Sequence, residues 1–118
     1  MTRSLVPVTL ALAALSLGLL GANTEAGVGA DVQKRTVNVA NMRYSPSSVT
    51  VERGRPVEIT FRGGSNMGCA AAIEFPTLGQ RKTVREGRTV TFRFTPSQRG
   101  EIPFRCTMDH VRGKVVVR

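Results

Sequence analysis

The chain has 118 residues, with 17 Lys and Arg against 8 Asp and Glu for a net charge of +9, two cysteines, one histidine and no tryptophan. That length holds one folded domain. A single histidine excludes a three-histidine zinc site, a zinc site of two cysteines and two histidines, and a copper centre of two histidines and a cysteine unless another ligand replaces a histidine.

The N-terminus reads as a targeting segment. Arg3 gives a short positive start, residues 5–22 are uncharged and rich in Leu, Ala and Val, and Val28-Gly29-Ala30 offers an acceptable cleavage site before Asp31. Residues 1–30 are therefore expected to be a secretory signal peptide, or an N-terminal anchor and tether if uncleaved, and residues 31–118 the folded domain. Both outcomes place that domain outside the cytoplasm: periplasmic, at the cell surface or secreted. Removing Arg3 and Glu25 leaves the net charge unchanged. Export takes nucleic acid off the list of expected partners, and the arginines are spread along the chain without a cluster. An anionic surface or a membrane tether remains compatible with the charge.

Beyond residue 34 apolar residues recur at every second position, and Gly or Pro interrupts them about every 8–12 residues, the pattern of an all-β sandwich or barrel. In chain order the expected strands cover residues 36–40, 49–51, 57–61, 69–75, 82–84, 88–94, 101–106 and 114–118. Val57, Ile59 and Phe61 share one face, as do Val90, Phe92 and Phe94. Turns fall at Pro46-Ser47-Ser48, Arg53-Gly54-Arg55-Pro56, Gly63-Gly64-Ser65-Asn66 and Pro96 to Gly100. The expected core is small but adequate for independent folding.

Parity places one cysteine. If Ile102 and Phe104 face inward, so does Cys106 at the far end of its strand. The following loop brings Met108 and His110 within five residues of it, all at one pole of the sandwich. A thiolate, a thioether and an imidazole at this spacing can converge on one ion, and sulfur softness selects Cu(I) over zinc, magnesium or calcium.

Two stretches carry a family resemblance. Tyr44-Ser45-Pro46 through Gly54 resembles the opening of a cupredoxin, and Gly100 to Cys106 followed by Gly113-Lys114-Val115-Val116-Val117 resembles its copper-cysteine strand and last strand. The resemblance covers nearly all of residues 36–118 and implies a cupredoxin-type Greek-key β-sandwich of about seven or eight short strands. The loop order Cys106, Met108, His110 departs from plastocyanin and azurin, where histidine precedes methionine, and Gly68-Cys69 stands where an earlier strand of those proteins supplies a second histidine. Phe75 to Gly79, Arg81-Lys82 and a Cys-x-Met loop ending in glycine are closer to the cupredoxin-like domains of bacterial copper chaperones and copper-transporting P-type ATPases. That resemblance implies Cu(I) bound by Cys69, Cys106 and Met108, with His110 where a second methionine is usual, and a copper-transporting membrane protein as partner. The imidazole would make affinity fall as the solution is acidified. Met67, two residues before Cys69, either packs plainly or adds a thioether to a second, weaker Cu(I) site, and Met42 is assigned to core or edge packing. A monomer is expected.

Each reading has a rival. Two cysteines in an exported chain also suit a structural disulfide, worth roughly 3–4 kcal/mol by loop closure. Such a bridge would make the domain a stapled binding module without metal, or alternate with Cu(I) binding according to redox state. An electron-transfer cupredoxin with an altered copper centre is a further alternative. Catalysis is the poorest: a Cys106 nucleophile would need the His110 imidazole as base and a third group to orient it.

Overall fold

The computed structural model describes residues 31–118, so the signal segment expected over residues 1–30 lies outside the described residues. Among the described residues no helix is long and apolar enough to cross a membrane.

Alternation of buried and exposed side chains sets the strands, in agreement with the two-residue period of the sequence. β1 (Gln33–Ala40), β2 (Arg43–Ser45), β4 (Val57–Gly63) and β7 (Thr89–Phe94) form one sheet in the order β2-β1-β4-β7. β3 (Ser48–Val51), β5 (Ala72–Phe75), β6 (Gln80–Thr83), β8 (Gly100–Cys106) and β9 (Arg112–Val117) form the other, ordered β3-β9-β8-β5-β6. β1 pairs with β4, and β3 with β9, in parallel; the remaining pairs are antiparallel.

Among the described residues there are nine strands where seven or eight were expected, because Arg43–Ser45 pairs with β1 over three residues too short to show a period. The expected strand over residues 69–75 is divided: Gly68–Ala71 is a 3₁₀ turn, and the strand begins at Ala72, whose N–H bonds to the Cys69 carbonyl. Gly68 enters that turn at φ 57°, in the left-handed region open to glycine. The strand expected over residues 82–84 is found at Gln80–Thr83, after a second 3₁₀ turn over Pro76–Leu78.

Between the sheets lies an aromatic core. Phe61, Phe75, Phe92 and Phe104 are fully buried. Phe61 meets Phe92 and Phe104 edge to face, with ring centroids 5.4 and 5.2 Å apart, and Tyr44 meets Phe104 at 5.2 Å. Such pairs add to the stabilisation from area burial by roughly 0.5–1.5 kcal/mol each. Val90 and Phe94 face the core as expected but are only partly buried. At the end where β1 starts, the buried Gln33 amide donates to the Glu52 carbonyl and accepts from the Glu52 N–H, satisfying a polar side chain that would otherwise be costly there. The ends of β1, β4 and β8 and the start of β9 define the opposite pole, where both cysteines lie.

Candidate metal centre

Cys106 ends β8 with its side chain inward and fully buried, as parity predicts. Cys69 is half-buried on the 3₁₀ turn between β4 and β5, and both thiols are free. Their Sγ atoms are 3.1 Å apart and hydrogen-bonded to each other. Two independent features hold that approach. Thr107 donates its N–H to the Ala72 carbonyl, bringing the end of β8 against the chain that leaves Cys69. From the other sheet, the buried Tyr44 hydroxyl donates to the Ala70 carbonyl at 3.2 Å, which gives the tyrosine of the Tyr-x-Pro segment a definite task.

The loop from Cys106 to β9 is tight. Cys106 donates its N–H to the Val111 carbonyl, Asp109 donates its own to the Cys106 carbonyl, and Asp109 takes a φ of 61°. The Asp109 carboxylate accepts two bonds from Arg112, at 2.8 and 2.9 Å, which favours this loop conformation. The loop turns its main chain toward the sulfur: His110 N–H donates to Cys106 Sγ at 3.2 Å.

These contacts make the two thiols unequal. Burial pushes the Cys106 thiol up, but hydrogen bonds from Cys69 and from the main-chain N–H groups of His110, Val111 and Met108 outweigh it and lower it below the ordinary cysteine value. Cys69 is raised, chiefly because its thiol hydrogen-bonds to Cys106 and secondarily by burial. The pair is arranged to hold one negative charge, centred on Cys106, with Cys69 donating to it.

The remaining expected ligands lie on the segments that carry the two cysteines. Met108 lies on the same loop, 64% exposed. His110 is exposed, and its contact with Cys106 is through the main chain; among the described residues no three His, Cys, Asp or Glu side chains converge. Met67 immediately precedes the Gly68–Ala71 turn and packs, partly buried, against the core. Met42, expected in core or edge packing, lies at the edge, 44% exposed, with its sulfur over Gly68. The sequence offered no signal for that position, since the approach depends on how the β1–β2 hairpin folds across the pole. Two thiols with thioethers close by form a soft donor set, which fits Cu(I) and suits hard oxygen-seeking cations poorly.

A family model described as a cupredoxin-like domain matches residues 9–117. No curated protein matches the chain. Among solved structures, the metal-binding domain of the Cu(I)-exporting P-type ATPase CopA of Streptococcus pneumoniae D39, determined with Cu(I), is 27% identical, with a TM-score of 0.69 over 75% of this chain and 87% of that one. A copper binding protein solved by NMR in its apo form is 28% identical, with a TM-score of 0.69 over 75% of this chain and 89% of its own. The reduced Cu(I) form of an amicyanin variant is 26% identical, with a TM-score of 0.57 over 70% of this chain and 80% of its own.

Proposed function

This chain belongs to the cupredoxin-like family, and on that premise we propose that it binds Cu(I) outside the cytoplasm, for buffering, delivery or resistance. The observation that carries this reading is the Cys69–Cys106 thiol pair, 3.1 Å apart at one pole of the sandwich. Cys69 and Cys106 are the principal ligands, and Met108 supplies a thioether from the exposed side of the loop. His110 is an auxiliary donor that reaches the ion only by rotating its exposed imidazole inward, and Met67 is held in reserve for a second, weaker site. The similarity to a Cu(I)-exporting ATPase's metal-binding domain supports an exchange partner of the same chemistry, a copper-transporting membrane protein. An exposed thioether suits that exchange, because an incoming ligand can displace it without opening the core.

Binding, not catalysis, suits the pole. The contact from His110 to Cys106 is a main-chain N–H, which orients and stabilises a thiolate but cannot take its proton. Copper is cargo here, and the asymmetry of the thiols assists its capture: Cys106 is the more readily ionised sulfur, and Cys69 gives up its proton as the ion arrives.

Titration of the reduced full-length protein with Cu(I) against a chromogenic chelator tests this reading. One tightly held Cu(I) per chain, with no visible absorption band, is the expected result. Failure to compete for Cu(I) would overturn it. An intense Cu(II)-thiolate band in the red after oxidation would favour the electron-transfer alternative, which the amicyanin similarity keeps in view.

A further inference from the structure

The hairpin between β1 and β2 turns through Asn41 and Met42, with φ of 51° and 57°. Two successive residues at positive φ make a turn in which asparagine suits the first position and glycine the second. Methionine in the glycine position is strained, because its Cβ crowds the carbonyl oxygen. Burial does not compensate, since Met42 is 44% exposed. Met42 and Met108 are the two large hydrophobic side chains that are exposed among the described residues, and both lie at the thiol pole. Strain of this kind in an otherwise regular hairpin points to a use for the side chain.

That side chain lies against the turn that carries Cys69. A Cβ added to Gly68 would overlap Met42 Sδ and would touch its Cγ and Cε at 3.2 and 3.5 Å, so the thioether rests on the residue just before Cys69. Main-chain bonds hold the hairpin against that segment: Asn41 N–H to the Ser65 carbonyl at 3.0 Å and Met42 N–H to the Asn66 carbonyl at 2.9 Å. The glycine before Cys69 thus leaves room for a sulfur, and the hairpin places one in it.

We propose that Met42 is a thioether donor to the ion held by Cys69 and Cys106, reaching it from the sheet opposite the one that supplies Met108. This rests on the Cu(I) reading above and deepens it. The two thioethers then flank the thiol pair from both sheets, and the strain at Met42 is retained because glycine has no sulfur to offer.

The test uses the reduced full-length protein labelled with 13C at the methionine methyls, with Met42→Leu and Met42→Gly as variants. The Met42 methyl resonance, assigned by its loss in Met42→Leu, is expected to shift when Cu(I) is added. Met42→Leu is expected to weaken Cu(I) binding by roughly tenfold or more, the scale seen when a supporting group at a metal site is lost. Met42→Gly should weaken it equally while raising the apo thermal midpoint, because glycine relieves the turn. If the wild type binds Cu(I) but Met42→Leu binds it equally tightly, or the Met42 methyl does not shift, this proposal falls and the Cu(I) reading stands. If the wild type binds no Cu(I), both fall.

Discussion

The Tyr44 hydroxyl donates to the Ala70 carbonyl across the interior, 3.2 Å away, and ties β2 to the turn that carries Cys69. Both residues are buried, so no water replaces the bond if it is lost. Tyr44→Phe keeps the ring contacts with Phe61 and Phe104 and removes only the donor. It is expected to cost about 1–3 kcal/mol by leaving a buried carbonyl unsatisfied, measurable as a lower denaturant midpoint at unchanged slope. The same variant should bind Cu(I) more weakly, because the Cys69 turn has lost its anchor.

The hydroxyl also sets an alkaline limit. Burial, with smaller contributions from the nearby Cys106 and Cys69 charges, holds Tyr44 far above its ordinary value. The folded state therefore favours the protonated phenol. Its contribution is fully present below the unfolded tyrosine value of about 10 and is lost as pH rises toward the folded one. Stability of the reduced apo protein should fall above about pH 10 in the wild type and fall less in Tyr44→Phe. Both proteins retain the thiols, so the difference between their pH profiles isolates the tyrosine. Parallel profiles would remove Tyr44 as the cause.

Cys69→Ser should abolish tight Cu(I) binding, whereas His110→Met should leave it largely intact, because its main-chain N–H still reaches Cys106 Sγ. Chelator competition ranks the two, and loss of binding in His110→Met alone would reverse that ranking. The proximity of the thiols has a second consequence. Without reductant the wild type should lose the mass of two hydrogens, gain thermal stability and fail to take up Cu(I) until reduced. By loop closure the bridge is worth roughly 3–4 kcal/mol. The disulfide and the metal site are then two states of one pair.

The sequence made the inward face of β8 legible because Ile102, Phe104 and Cys106 alternate with Glu101, Pro103 and Arg105, and that parity put Cys106 at the pole correctly. Cys69 was legible as a disulfide partner from the cysteine count, and as a copper ligand only through resemblance. Its local conformation was not, because Gly68-Cys69-Ala70-Ala71 has no period and its 3₁₀ turn depends on contacts with Tyr44 and Met67. The neighbour that Met42 packs on was not legible either. A methionine beside a strand normally packs, and only the pairing of β1 with the chain beyond β4 shows its sulfur lying over Gly68. His110 marks a further limit, since spacing brings a residue to a pole without saying whether its side chain or its main chain faces the sulfur.

The glycine that ends the cysteine loop is held to its identity by close approach. Gly113 pairs with Phe104 between β8 and β9, and a Cβ there would overlap the edge of the Phe104 ring and stand 2.8 Å from the Ser47 carbonyl oxygen. Neither neighbour can yield easily. Phe104 is fully buried against Tyr44 and Phe61, and the Ser47 carbonyl accepts the Lys114 N–H. Gly113→Ala should therefore cost about 1–3 kcal/mol, the usual penalty for overpacking, and lower the thermal midpoint by roughly 5–15 °C in a domain of this size. If ring overlap is the cause, the penalty must shrink when the ring is replaced by a smaller side chain. In a Phe104→Leu background Gly113→Ala should cost clearly less than in the wild type, giving a coupling energy on the order of 1 kcal/mol in a double-mutant cycle. Additive penalties would show that the ring is not the obstacle and would leave the Ser47 carbonyl as the group that excludes a side chain.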